Sequence, residues 1–267
     1  MTYHLDRRNG KGLAFGILLV VLALATAVSY AISHSGLRRH GGPQRQDDAP
    51  SRIAYKIVRH EIFTGSGGQS PVLMATKIRY QKSNGDWKEV TRYFSKDGQL
   101  TSRHAVFGIG GRGVLGVNEE TQSLDYISPM ALSASGVGLG VAAKERETAL
   151  RADPHFVREE TVLDRSAAVL RFSEGDPRSG YYVEAYYAPS LDGVTPIKEL
   201  FVNAAGTTVV EPVLVKLAEP TPGEFGQVPN WPLAFGLYER KIQLAENAGR
   251  EDIAAAMRRR IEGEVGK

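Results

Sequence analysis

The 267 residues are 42% hydrophobic and 24% charged and include no cysteine. That composition builds a folded core and excludes wholesale disorder, disulfide frameworks, thiolate catalysis and cysteine zinc sites. The formal net charge of +3 comes from Lys and Arg interleaved with Asp and Glu, whereas a nucleic-acid reader masses its positive charge, so no nucleic-acid partner is expected.

Leu13 to Ile32, LAFGILLVVLALATAVSYAI, runs for twenty residues without a charged side chain. As a helix rising about 1.5 Å per residue it spans roughly 30 Å, the hydrocarbon thickness of a bilayer. Arg7, Arg8 and Lys11 precede it and Arg38, Arg39 and Arg45 follow, so flanking charge barely orients it. The short basic tail resembles the start of a targeting sequence, which puts the amino terminus in the cytoplasm. Small residues at Ala25 and Ala27, and at Ser29 and Ala31, fit a signal-peptidase pattern and leave cleavage open. The run exceeds the roughly 7 to 15 apolar residues of a signal peptide, which favours a retained signal-anchor. The expected organisation is a cytoplasmic tail and single-span transmembrane helix over 1–34, in the cytoplasmic (inner) membrane, then a solvated linker over 35–52. The main domain then lies in the periplasm or otherwise outside the cytoplasm.

From Ile53 the hydrophobic period becomes two. Ile53 to Phe63 reads as a strand and Thr64 to Ser70 as a Gly-rich turn. In the next strand Val72, Met74, Thr76, Ile78 and Tyr80 share one face and Lys77, Arg79 and Gln81 the other, the pattern of half-buried antiparallel sheet. Asn84-Gly85 turns the chain into Trp87 to Ser95, and Lys96-Asp97-Gly98 turns it again into Gln99 to Phe107. Between Phe107 and Ala143 glycines loosen the pattern. Gly108-Ile-Gly-Gly-Arg-Gly113 invites comparison with a dinucleotide-binding loop, but no helix-forming segment follows Gly113, so it reads as a turn. Lys144 to Ala152 fits one short helix, and Phe156 to Leu217 alternates again as a second meander, with turns at Asp176-Pro177, Asp192-Gly193 and Ala205-Gly206. Eight to ten strands are more than a flat sheet holds, so curling toward a barrel is expected. This domain occupies 53–232. Over 233–267 the period turns helical: Phe235, Tyr238, Ile242 and Ala245 form one stripe, and Ile253, Met257, Ile261 and Val265 another, with Gly249 between. The fold class is thus mainly β with some α: a transmembrane helix, a curved antiparallel sheet and a carboxy-terminal helical hairpin.

Val162-Leu-Asp-Arg-Ser-Ala-Ala-Val-Leu-Arg171, Tyr182-Val-Glu-Ala-Tyr-Tyr-Ala-Pro189, Pro196-Ile-Lys198 and Phe225 with Pro229 carry a resemblance. In that order they resemble the carboxy-terminal half of extracytoplasmic half-barrel proteins of the lipoprotein-carrier type, a grouping that includes periplasmic sensor domains regulating anti-sigma factors. The resemblance covers about 50–230. It implies a curved sheet wrapping helices, with a concave face able to hold an acyl chain. The membrane segment and the helical hairpin depart from a soluble shuttle.

Catalytic and metal chemistry finds no support in the spacing. His4, His34 and His40 precede the domain, and His60, His104 and His155 lack a second ligand at metal spacing. No serine sits in a Gly-x-Ser-x-Gly elbow, and Glu119-Glu120 and Glu159-Glu160 are sequence neighbours best read as solvated surface. No enzyme, cofactor or metal is therefore expected. Tyr181, Tyr182, Tyr186 and Tyr187 put rings on both faces of one strand. Cross-strand aromatic packing accounts for them; alternatively Tyr181, Val183 and Tyr187 line a groove for a lipid or other apolar ligand. The expected function is non-catalytic binding of such a ligand, or of an envelope protein, by a membrane-tethered domain. The alternative is an envelope assembly protein that recognises its partner through Ile253, Met257 and Ile261 of the hairpin.

Overall fold

The computed structural model describes residues 53–67, 69–110, 112–128, 142–173, 180–193 and 195–265, which belong to one unit. Among the described residues twelve strands form one curved, open sheet: β1 (Tyr55–Gly65), β2 (Val72–Gln81), β3 (Trp87–Phe94), β4 (Leu100–Ile109), β5 (Gly113–Asn118), β6 (Ser123–Ser128), β7 (Phe156–Val162), β8 (Arg165–Phe172), β9 (Tyr182–Tyr187), β10 (Lys198–Asn203), β11 (Gly206–Lys216) and β12 (Leu233–Ala234). The helices among the described residues are α1 (Ala143–Arg151), α2 (Pro222–Phe225), α3 (Gly236–Asn247) and α4 (Glu251–Val265).

The order across the sheet is β12-β6-β5-β4-β3-β2-β1-β11-β10-β9-β8-β7. Two antiparallel meanders, β1 to β6 and β7 to β11, therefore join where β1 pairs with β11 from Lys56↔Lys216 to Gly65↔Gly206. Gly206 closes this seam with φ 149, and a Cβ there would lie 2.2 Å from the Thr64 carbonyl oxygen, so no other residue fits without displacement. The Asn84-Gly85 turn forms with Gly85 at φ 95, and Lys82 N–H donates to the Asp86 carbonyl at 2.8 Å.

The sheet has more strands than the eight to ten expected, because the Gly-rich stretch after Phe107 yields β5 and β6. Each has only six residues, and Gly116 interrupts the apolar alternation of β5, which hides the period in the sequence. Gly108 belongs to β4, where a Cβ would meet the Trp87 indole at 2.2 Å, and the segment after it is the β4–β5 turn. The Leu13–Ile32 segment and the turn expected at Asp176-Pro177 lie outside the described residues. Among the described residues no helix is long and apolar enough to cross a membrane.

On one face of the sheet, here the helical face, Leu115, Leu124 and Tyr126 are covered by Tyr238 and Ile242 of α3 and Ala254 of α4, with Met257 and Ile261 packed alongside. Burying each large apolar side chain contributes roughly 1.5–3 kcal/mol, which is what holds two short helices to the sheet. Further along this face Phe107 and Tyr80 bury Phe225 of α2, whose start is fixed by a capping box between Thr221 and Glu224. The opposite face takes a different cover, residues 189–193 and 195–197 between β9 and β10. Tyr55 donates its hydroxyl to Asp192 at 2.6 Å, Arg59 donates to the Pro196 carbonyl at 3.0 Å, and Arg146 of α1 donates to the Pro189 carbonyl at 2.9 Å. Lys77, Arg79 and Gln81 lie on this opposite face, where the alternation of β2 suggested a solvated side. Gln81 is in fact 5% exposed.

Candidate functional site

Strand register sets the opposite face in layers. At one end, Phe63 of β1 pairs with Thr208, Thr208 with Phe201, Phe201 with Val183 and Val183 with Phe172. All five side chains are half-buried, and the His155 ring lies 4.7 Å from that of Phe172. One residue pair further in, Val210, Ala185 and Leu170 are buried beside Glu61 and Glu199. This row, four apolar side chains and Thr208, crosses five strands.

The next layers hold charge. Lys77 pairs with Glu61 at 2.7 Å, and Arg59, 4% exposed, bridges Glu89 at 2.8 Å and Glu199 at 3.5 Å. Arg79 lies 4.2 Å over the Trp87 ring. Burial pushes the Glu89 carboxyl up, but Arg59, Arg79 and Lys77 more than reverse it and hold it below the ordinary carboxylate range. For Glu199 burial wins over Arg59 and Lys77, and its carboxyl is raised. Burial lowers Lys77 while Glu61 and Glu199 raise it, with a net rise. Three cations thus face three carboxylates, so the formal charges of the cluster sum to zero. The Nε atoms of Arg59 and Arg79 are buried without a hydrogen-bond partner.

The helical face carries a second ion cluster. Glu184, 1% exposed, accepts two bonds from Arg158 at 2.9 Å, two from Arg171 at 2.9 and 2.6 Å, and one from the Tyr186 hydroxyl at 3.0 Å. The Arg158 hydrogen bonds lead this set in outweighing burial, and the Glu184 carboxyl falls to about 2. Burial and the Glu184 carboxylate push the Tyr186 hydroxyl up to about 12. Every Glu184 lone pair is engaged, which makes the cluster a fastening between β7, β8 and β9 with no atom left to act as acid or base.

Of the residues singled out in sequence, Val183 lies within the apolar row and Tyr181, 45% exposed, just precedes β9. Tyr187 shares the Val183 face of its strand but is 1% exposed and sits opposite Ala168. Met257 and Ile261 face the sheet, and Ile253 is half-buried. Phe63, Phe172 and Phe201, the main members of the row, come from three strands far apart in sequence, and only their register brings them together. Among the described residues no three of His, Asp and Glu gather as metal ligands.

No protein-family model matches the sequence, and no curated protein matches it either. Among solved structures the chain is similar to MucB, with 14% identity, a TM-score of 0.36, and coverage of 78% of this chain and 64% of that one. The chain therefore spans less than two thirds of MucB. It is also similar to a LolA superfamily protein from Nitrosomonas europaea, with 11% identity, a TM-score of 0.28, and coverage of 76% and 97%. A hypothetical protein from Chlamydia trachomatis follows with 10% identity, a TM-score of 0.32, and coverage of 67% and 93%. MucB and the LolA superfamily protein fall within the grouping that the strand pattern of 50–230 resembles.

Proposed function

We propose that the chain is a membrane-anchored, extracytoplasmic binding protein that holds an apolar ligand along the Phe63–Phe172 row without chemical transformation. Its organisation on this reading is an anchor over 1–34, a linker over 35–52, the sheet domain over 53–232 and the helices over 233–267. The observation that carries it is the row itself: five half-buried positions in register across β1, β11, β10, β9 and β8. Four strand spacings of about 4.8 Å give it a length of roughly 19 Å, suited to an extended alkyl chain. Each methylene buried there contributes about 0.8 kcal/mol, so a dozen give roughly 10 kcal/mol before the costs of association. The ion network behind the row balances three cations against three carboxylates, which suits an apolar tail better than a charged solute. Native mass spectrometry of the protein released from membranes in lipid discs tests this. A co-purifying lipid that disappears when Phe63 and Phe201 are replaced by Ser supports it, and a domain that stays empty overturns it.

A second reading places an envelope protein on the exposed side of α3 and α4 rather than on Met257 and Ile261, which pack against the sheet. Leu244 of α3, 68% exposed, favours it. Deleting residues 235–267 then removes partners from the purified protein while leaving the sheet folded.

A further inference from the structure

One end of the sheet keeps large apolar side chains in water beside unpaired cations. On the helical face Ile62 stands opposite Leu73, and Phe94 opposite Leu100. Leu73 is 37% exposed, neighbouring Met74 40% and Leu100 58%. Two residues back from Phe94, Arg92 stands directly opposite Arg103, and both are exposed. Like charges directly opposite each other destabilise a sheet, and among the described residues neither guanidinium forms an ion pair. Lys96 joins them at the β3–β4 turn against one carboxylate, Asp97. On the same face Lys88 is pushed below its ordinary range by burial and by the Arg103 charge.

The Phe63 row belongs to this same end. Phe63 follows Ile62 in β1, and its partner Val72 precedes Leu73 in β2. The chain enters β1 at Tyr55, at the far end of an eleven-residue strand roughly 36 Å long. Residues 35–52, eighteen in number, reach roughly 60 Å when extended, enough to return this end to the membrane that anchors it.

We propose that this end of the sheet docks on a bilayer surface containing anionic lipid. Leu73, Met74, Phe94 and Leu100 enter the interface, and Arg92 and Arg103 meet lipid phosphates. The paired arginines, costly in isolation, gain the counter-charge that the chain withholds from them. Docking also sets the end of the apolar row at the lipid surface, so an alkyl chain passes from bilayer to row without crossing water. The proposal rests on the anchored reading above.

The chain has no cysteine, so Leu100→Cys takes a single polarity-sensitive fluorophore on the full-length protein. The protein is reconstituted into vesicles of phosphatidylcholine and into vesicles that also contain phosphatidylglycerol. With phosphatidylglycerol the emission shifts to the blue and brominated acyl chains quench it. The pair Arg92→Glu and Arg103→Glu lowers the docked equilibrium at least about twenty-five-fold, since each basic residue at an anionic surface contributes about fivefold. A label at Gln243→Cys on α3 stays aqueous throughout. Thr101→Cys is the second labelling site if Leu100→Cys does not fold. A label that stays aqueous in both vesicles overturns the proposal, and so does a shift that ignores both phosphatidylglycerol and the arginine replacements. Flotation of the labelled protein reports anchoring, and the co-purifying lipid reports the row, so failure of docking is read apart from failure of the binding function.

Discussion

Replacing Arg59 by Met removes the cation that holds Glu89 at 2.8 Å and Glu199 at 3.5 Å, and also the bond to the Pro196 carbonyl. Removing one partner of a buried ion pair costs about 3–5 kcal/mol. Lys77 and Arg79 remain near Glu89, so the lower end, about 3 kcal/mol at pH 7, is expected. In the native protein Glu89 is held below its ordinary value; it contributes stability that is present above about pH 4.5 and is lost as pH falls through the lowered folded value. Without Arg59 the first of the three cations opposing burial is gone, so the carboxyl moves up from its lowered native value, its ionised form is less favourable at neutral pH, and part of the cost is relieved on acidification. Urea unfolding followed by circular dichroism therefore shows a gap between native and Arg59→Met that is widest at pH 7 and narrows toward pH 4. Adding Glu89→Gln recovers more than half of the neutral-pH loss. An equal gap at both pH values, or no recovery in the double variant, refutes the account of a charge-neutralised layer.

Glu184→Gln lowers stability by about 2 kcal/mol at neutral pH, less than the full linkage value because Arg158 and Arg171 are partly solvated. Because the folded carboxyl sits at about 2, that contribution is present above about pH 4.5 and fades as pH falls through about 2, where thermal melts of variant and native protein converge. Gly108→Ala drives a methyl into the Trp87 indole and destabilises by about 1–3 kcal/mol, with Trp87→Leu restoring much of the loss in the same melts. Truncation before Gly236 uncovers Leu115, Leu124 and Tyr126, so the remaining sheet binds a hydrophobic dye and unfolds at lower urea; unchanged unfolding shows that the helices contribute little to it.

The strands that alternate cleanly were legible in sequence. Thr76, Ile78 and Tyr80 do share a face of β2, and the Asn84-Gly85 turn does join β2 to β3; Val72 does not, because the register shift between Glu61 and Ile62 sets it opposite Phe63 on the other face. The face of Lys77 and Arg79 was not, because a buried salt-bridge layer and a solvated surface have the same polar signature; only Arg59, Glu89 and Glu199 arriving from other strands distinguish them. The seam between β1 and β11 carries no local signal, since its residues lie about 150 positions apart and their pairing follows from closing two meanders on each other. The same reason hid the Phe63–Phe201–Phe172 row. Val183 was singled out through its tyrosine neighbours, while its partners across the sheet are set by register alone. Tyr187 reads like Tyr181 in sequence, yet it is one of the largest fully buried side chains, because it lies farther along β9, opposite Ala168.

The central claim is that Phe201 faces an apolar ligand. Full-length protein with a benzophenone amino acid at position 201, irradiated in native membranes, tests it most directly. Mass spectrometry of the tryptic peptide around Lys198–Asn203 is expected to show an adduct of lipid mass that diminishes when Phe63 is replaced by Ser. A peptide recovered without adduct, or linked only to this chain's own residues, contradicts the account.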